Sequence, residues 1–121
     1  MTTAEMTKIQ FSPIARGRQF REVETSMQVV GDDQIEAVEA DPKKFLFRII
    51  DQKDGDKRLV WDSTNMADIR EARRMFNHFL QQGLTAYRVT PGGKKSTQSM
   101  EEFDPTAEEI LFMPITLVAG G

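Results

Sequence analysis

A broad apolar stripe between residues 66 and 82 most constrains what this chain can fold into. Its side chains recur at helical spacing, at Ile69, Ala72, Met75, Phe76, Phe79 and Leu80. The pattern predicts an amphipathic helix over residues 66–82, with Thr64 or Asn65 as N-cap and Gly83 as its stop. Such a helix cannot bury its apolar stripe alone, so a sheet must supply the facing surface.

The segments around this helix predict the strands of that sheet. Residues 45–50 and 58–61 are rich in β-branched and aromatic side chains and flank a glycine-containing loop, which predicts a β-hairpin. Residues 84–89 and 110–113 predict two later strands, and residues 94–99 predict a polar loop or an edge strand. The order of these elements predicts an α+β fold with one main helix packed across a mixed sheet.

The N-terminal third has a weaker pattern and predicts a β-rich extension. Asp41-Pro42 marks a boundary between an extension over residues 1–41 and a domain over residues 42–121. Residues 8–11 predict a short strand, and Gly31 with the two aspartates after it predicts a turn. Further strands are predicted around Phe20, Val23, Met27 and Val29.

Composition narrows the classes of function. The 121 residues suffice for one core, and a net charge of -3 argues against a general attraction to nucleic acid or anionic lipid. The chain has no cysteine, which excludes disulfides, thiolate metal sites and thiol catalysis. No stretch is apolar enough to cross a bilayer, and residues 1–6 lack a signal-peptide pattern. We therefore expect a cytoplasmic protein without a membrane partner.

The candidate residues for catalysis and metal binding do not form a convincing set. Asp51, Asp54 and Asp56 suggest a calcium loop, but the twelfth position is Asp62 instead of a bidentate glutamate. His78 is the one histidine, in the predicted helix, where a structural role is the expected one. We expect no enzyme activity, no catalytic residue, no bound metal and no cofactor.

The glycine and lysine residues near position 93 could suggest a phosphate-binding loop. The segment over residues 91–97 lacks the spacing of a phosphate-binding P-loop and is predicted to be a turn with solvated lysines.

Two groups of side chains are candidates for binding a protein partner. Arg70, Arg73 and Arg74 form a predicted basic ridge on the helix, interleaved with acids in a way that favours a protein partner or solvent over nucleic acid. Three methionines are candidates for an adaptable binding surface. These are Met27, Met100 and Met113.

The end of the sequence resembles a known family. The acidic turn and apolar strand over residues 108–114, followed by Gly120-Gly121, resemble the tail of the small molybdopterin-synthase subunit and of thiamine-pathway sulfur carriers. The upstream order of elements is similar to that of their β-grasp fold, which ubiquitin shares. The resemblance implies that an activating enzyme adenylates Gly121, which then carries sulfur or is conjugated, and that Gly120 lets the tail enter that enzyme. The spacer over residues 115–119 departs from the carriers, whose proline lies nearer the glycines.

The same tail supports an alternative function. Ile115, Leu117 and Val118 are apolar, so we expect them to dock on the protein's own sheet or to add a strand to a partner. In general style the chain resembles small accessory proteins of tailed phages. The alternative is a virion, assembly or host-interaction protein, located in the host cytoplasm or the virion, for which self-assembly stays open.

Overall fold

The computed structural model describes residues 6–11, 21–50, 56–90 and 93–114. Over these residues it has eight strands and two α-helices, and a 3-10 turn precedes the first helix. The strands are β1 (Thr7–Phe11), β2 (Arg21–Thr25), β3 (Gln28–Val29), β4 (Lys44–Ile49), β5 (Lys57–Asp62), β6 (Leu84–Thr90), β7 (Lys94–Lys95) and β8 (Glu109–Pro114). The helices are α1 (Ile35–Ala40) and α2 (Met66–Gln81), and the 3-10 turn is Asp32–Gln34.

The strands form a two-stranded sheet and a six-stranded mixed sheet. The small sheet pairs β1 with β2, and the large sheet has the order β3-β5-β4-β8-β6-β7. The last strand, β8, lies in the middle, parallel to β4 and antiparallel to β6. The hairpin, the helix and the inserted final strand together give the α+β arrangement that the sequence predicts, with one main helix packed on a mixed sheet.

Local chemistry explains where α2 begins and ends. Of the two N-cap candidates, Asn65 caps the helix, because its Oδ1 accepts hydrogen bonds from the backbone N–H of Ala67 at 2.9 Å and of Asp68 at 3.2 Å. The helix ends before Gly83, whose φ of 96° lies in the left-handed region that glycine adopts readily. The predicted helix is confirmed to within one residue at its C-terminal end.

The core lies between α2 and one face of the large sheet. Alternate side chains of β4, β5 and β8 point toward the helix, and their aromatic rings pack edge-on. The ring centroids of Phe47 and Phe112 lie 5.1 Å apart, and those of Phe79 and Phe112 lie 4.9 Å apart. Phe103, from the loop before β8, contacts Phe47 and Phe76 and helps to close this core.

The N-terminal strands pack on the same core. Ile9 and Val23 are buried in the cluster that contains the α2 side chains, and β3 joins the edge of the large sheet. Met27 is 4% exposed in this cluster, so its assignment to a binding surface is wrong. The turn predicted at Gly31 is instead the N-cap of the 3-10 turn, and α1, which follows it, is absent from the prediction.

A polar network ties the small sheet to α2. The carboxylate of Glu71 accepts hydrogen bonds from Thr25 Oγ1 at 2.6 Å and from the backbone N–H of Ser26 at 3.2 Å. Arg74 donates to both Glu71 oxygens and, at 2.7 Å, to the carbonyl oxygen of Glu24. Burial alone would raise the pKa of Glu71, but hydrogen bonds from Arg74, Thr25 and Ser26 outweigh it and lower that pKa.

Candidate partner-binding surface

The side of the large sheet that faces away from α2, here called the second face, carries the best candidate surface. Strand alternation and the observed register place Leu46, Arg48, Arg58 and Val60 on this face of β4 and β5. The same register places alternate residues of β6 and β8 beside them. These residues are Thr85, Tyr87, Val89, Glu109, Leu111 and Met113.

Four of these side chains form a compact group, here called the β6–β8 patch, made of Thr85, Tyr87, Leu111 and Met113. Tyr87 lies opposite Leu111 and Thr85 lies opposite Met113 in the antiparallel ladder. Directly opposed side chains on one face of a sheet contact each other, so the four form a continuous surface. Leu111, Met113 and Thr85 are half-buried, whereas Tyr87 is 6% exposed.

Cationic side chains border the β6–β8 patch. The Nζ of Lys95, on β7, lies 3.9 Å from the centroid of the Tyr87 ring, close enough for a cation–π contact. Arg48 lies opposite Leu111 in the parallel ladder and donates from Nε and Nη2 to Asp56 Oδ2, at 2.9 and 2.7 Å. The patch is therefore apolar at its centre, with the cation of Lys95 on one side and the Arg48–Asp56 ion pair on the other.

A half-buried carboxylate lies farther along the same face. Glu109 precedes the patch on β8, and burial raises its pKa. Repulsion from Glu39 acts in the same direction, while Arg48 and Arg58 act against it. The arginines of this face thus lie within electrostatic reach of carboxylates and are not isolated charges.

The chain leaves the sheet beside the patch. Pro114, the last residue of β8, lies opposite Leu84, the first residue of β6, and β6 begins just after α2 ends. Met113 and Thr85 are the adjacent pair of the patch. Whatever follows Pro114 therefore starts next to the β6–β8 patch.

The three arginines of the predicted basic ridge do not share one environment. Arg70 is exposed, and Arg73 lies with its guanidinium carbon 5.7 Å from the centroid of the Phe103 ring. Arg74 is held by Glu71, which raises its pKa, and it binds the backbone of β2. Arg70 and Arg73 remain open to a partner, whereas Arg74 holds the fold together.

The remaining candidates from the sequence are the metal-binding aspartates, His78 and two methionines. Asp51 and Asp54 lie outside the described residues, and within the described part of the chain no three acidic or histidine side chains come together as a metal site. His78 is half-buried in α2, its ring centroid is 6.2 Å from that of Phe79, and burial followed by Arg74 lowers its pKa. Met100 packs against the core, while Met113 joins the patch.

The five tail candidates all follow Pro114 in the sequence. Ile115, Leu117, Val118, Gly120 and Gly121 lie outside the described residues. The sequence had singled out Met113 but not Thr85, Tyr87 or Leu111. The alternation of side chains along β6 and β8 was the available signal, but it does not show which face of the sheet α2 covers.

Comparisons with protein-family models, curated proteins and solved structures gave no match. In the described ranges neither helix has both the length and the apolar composition needed to cross a bilayer. The fold and this surface define an α+β domain with one partly open sheet face.

Proposed function

We propose that this chain is a non-enzymatic, ubiquitin-like interaction protein that presents the segment after Pro114 to a protein partner. The position of β8 carries the proposal. Because β8 is a central strand between β4 and β6, its end is held firmly at a defined point of the sheet. The following residues start beside the β6–β8 patch, so one partner can bind the patch and the tail together.

The chemistry of the patch suggests the kind of surface that binds it. Leu111 and Met113 offer apolar area, and Arg48 and Lys95 stand at its border. A partner that presents apolar side chains with a carboxylate facing Lys95 would complement both properties. Arg70 and Arg73, on the far side of the molecule, could contact a second region of a large partner.

In the proposal the tail reacts through the carboxylate of Gly121. An activating enzyme joins this carboxylate to the α-phosphate of ATP, forming an acyl adenylate and releasing pyrophosphate. Hydrosulfide then displaces AMP to give a thiocarboxylate, or a lysine amine of a target displaces AMP to give an isopeptide bond and release a proton. Glycines at positions 120 and 121 carry no Cβ and can pass a narrow channel. This chemistry would take place in the cytoplasm.

Intact mass spectrometry tests the tail. The tagged chain is incubated with ATP, Mg²⁺ and a lysate of the encoding organism, with parallel samples that lack ATP. An ATP-dependent thiocarboxylate or a covalent conjugate is expected, and deletion of Gly120-Gly121 should remove it. If the full chain stays unmodified under conditions in which it remains folded, the carrier or modifier role is wrong.

Substitutions in the patch test the docking surface separately. Leu111→Ser and Met113→Ser should reduce the ATP-dependent product about tenfold, because each removes apolar contact area. Met66→Ser is the matched control, since Met66 is 67% exposed at the N-terminal end of α2, away from the patch. Equal losses in all three variants would contradict the role of the patch.

Strand addition is the second candidate function, carried by the apolar residues that continue from β8. In the described part of the sheet the edges are poor acceptors, because β3 has two residues and β7 consists of Lys94 and Lys95. The tail would therefore act as the donor strand, in a phage particle or another assembly. Deleting Gly120-Gly121 should leave such binding intact, whereas Leu117→Asp should abolish it.

A further inference from the structure

The segment between β3 and β4 crosses the second face. At one end the backbone N–H of Val30 donates to the carbonyl oxygen of Arg58 at 2.8 Å, beside the first half of β5. At the other end the N–H of Lys44 donates to the carbonyl oxygen of Asp41 at 3.1 Å, where β4 begins. Between these points residues 32–40, here called the cover, form the 3-10 turn and α1, and α1 packs against β4.

The cover is held by few contacts. None of its residues is buried, and α1 has six residues and no side-chain N-cap. So short a helix is unstable without tertiary contacts. Its apolar residues Ile35 and Val38 are half-buried. An ion pair at 2.7 Å joins Arg58 to Asp32, but the Asp32 side chain is 94% exposed, so the pair is weak.

The side chains beneath the cover are separate from the main core. Leu46 is 7% exposed, yet it points away from α2 and is not part of the cluster that packs on that helix. Val60 lies opposite Leu46 on β5 and is half-buried. Because α2 lies on the other side of the sheet, Leu46 is buried by groups on the second face, and α1 of the cover packs against the strand that carries it.

We propose that residues 32–40 are a displaceable cover over the β4–β5 half of the second face. Its displacement would release Arg58 and uncover Leu46 and Val60, extending the β6–β8 patch across the sheet. The cover indicates what can replace it, since its apolar residues Ile35 and Val38 are half-buried and its acidic residue Asp32 pairs with Arg58. The replacing segment is an acidic amphipathic helix of a partner, and this role in regulation rests on the proposed function.

Nuclear magnetic resonance on the full chain tests the cover directly. In the wild type, amides of α1 should exchange at least about tenfold faster than those of β4, because the cover opens without global unfolding. In Val38→Ser, broadening of the Leu46 methyl signals by a soluble paramagnetic chelate should rise at least about twofold, while the Ile49 methyl signal stays unchanged. The matched control is Glu36→Gln on the exposed side of α1, which should change neither signal.

An added peptide tests which kind of segment can bind the uncovered face. An acetylated, amidated peptide of residues 31–41, added to Val38→Ser, should reduce the broadening of Leu46 again. A peptide with serine at both Ile35 and Val38 should not. Equal exchange rates in α1 and β4, or a Leu46 signal unchanged in Val38→Ser, would overturn the cover. Loss of the peptide effect alone would overturn the acidic helix as occupant. None of these measurements involves ATP or the tail, so they fail independently of the proposed function.

Discussion

Removing the carboxylate of Glu71 should loosen the N-terminal hairpin from α2. This carboxylate accepts hydrogen bonds from Thr25 Oγ1 at 2.6 Å and the Ser26 N–H at 3.2 Å, and it pairs with Arg74 at 2.7 Å. The Glu71 side chain is 14% exposed, so solvent replaces little of what is lost. In Glu71→Ala the Thr25 hydroxyl, which is fully buried, has no carboxylate to bind.

The size of the effect follows from these environments. A buried donor left without an acceptor costs about 1–3 kcal/mol. The ion pair adds less than about 1 kcal/mol, because the Arg74 side chain is 49% exposed. We expect Glu71→Ala to lower the free energy of unfolding by about 2–3 kcal/mol, and Glu71→Gln by about 1 kcal/mol because its amide oxygen still accepts one hydrogen bond.

Urea unfolding at pH 7, followed by Trp61 fluorescence, measures these values. Glu101→Ala is the control, since Glu101 is exposed outside the helices and strands, and its effect should stay within about 0.5 kcal/mol. Combining Glu71→Ala with Thr25→Val should give a coupling free energy of at least about 1 kcal/mol. A coupling below about 0.5 kcal/mol would refute the assignment of the network as the tether.

The same network predicts how the free energy of unfolding changes with pH. The pKa of Glu71 is lower in the folded chain than its ordinary value of 4.5, so the unfolded chain binds more protons in the interval between them. The stabilisation that the Glu71 carboxylate contributes is complete above its pKa in the unfolded chain and is lost as the pH falls through its pKa in the folded chain. The difference in unfolding free energy between wild type and Glu71→Gln should therefore shrink below about pH 4.5. A difference that stays constant to pH 3 would contradict this.

Four further substitutions test the local arguments by urea unfolding. Asn65→Ala removes the N-cap of α2 and should lower the free energy of unfolding by about 1 kcal/mol, so a neutral result would argue against the cap. Gly83→Ala forces a Cβ into a backbone with φ of 96° and should cost about 1 kcal/mol, whereas stabilisation would disprove the strain. Phe103→Ala should cost about 2 kcal/mol, compared with about 0.5 kcal/mol for Arg73→Ala, which loses only the cation–π contact. Equal costs would mean that the ring does not close the core.

The main elements were predictable because their signals are local. The apolar stripe of α2 repeats over four turns, and β4 and β5 are rich in β-branched and aromatic residues. The helix α1 was missed because six residues are too few to establish a helical period, and neighbouring glutamates and aspartates resemble a loop. Met27 was misassigned because its burial depends on how the small sheet of β1 and β2 packs against α2, and no local sequence pattern indicates that packing.

The amino-acid sequence alone was enough for the class of fold and for the bounds of α2, since the helical spacing of apolar residues can be recognised within a single segment. It also carried the tail chemistry of Gly120-Gly121, which remains a proposal. Long-range pairing decided the rest: β8 entered between β4 and β6, Arg74 was drawn into the tether, and the β6–β8 patch came to lie beside the end of β8. Such outcomes depend on the register and docking of distant segments, whose free energies are shared among many contacts, so no single segment specifies them.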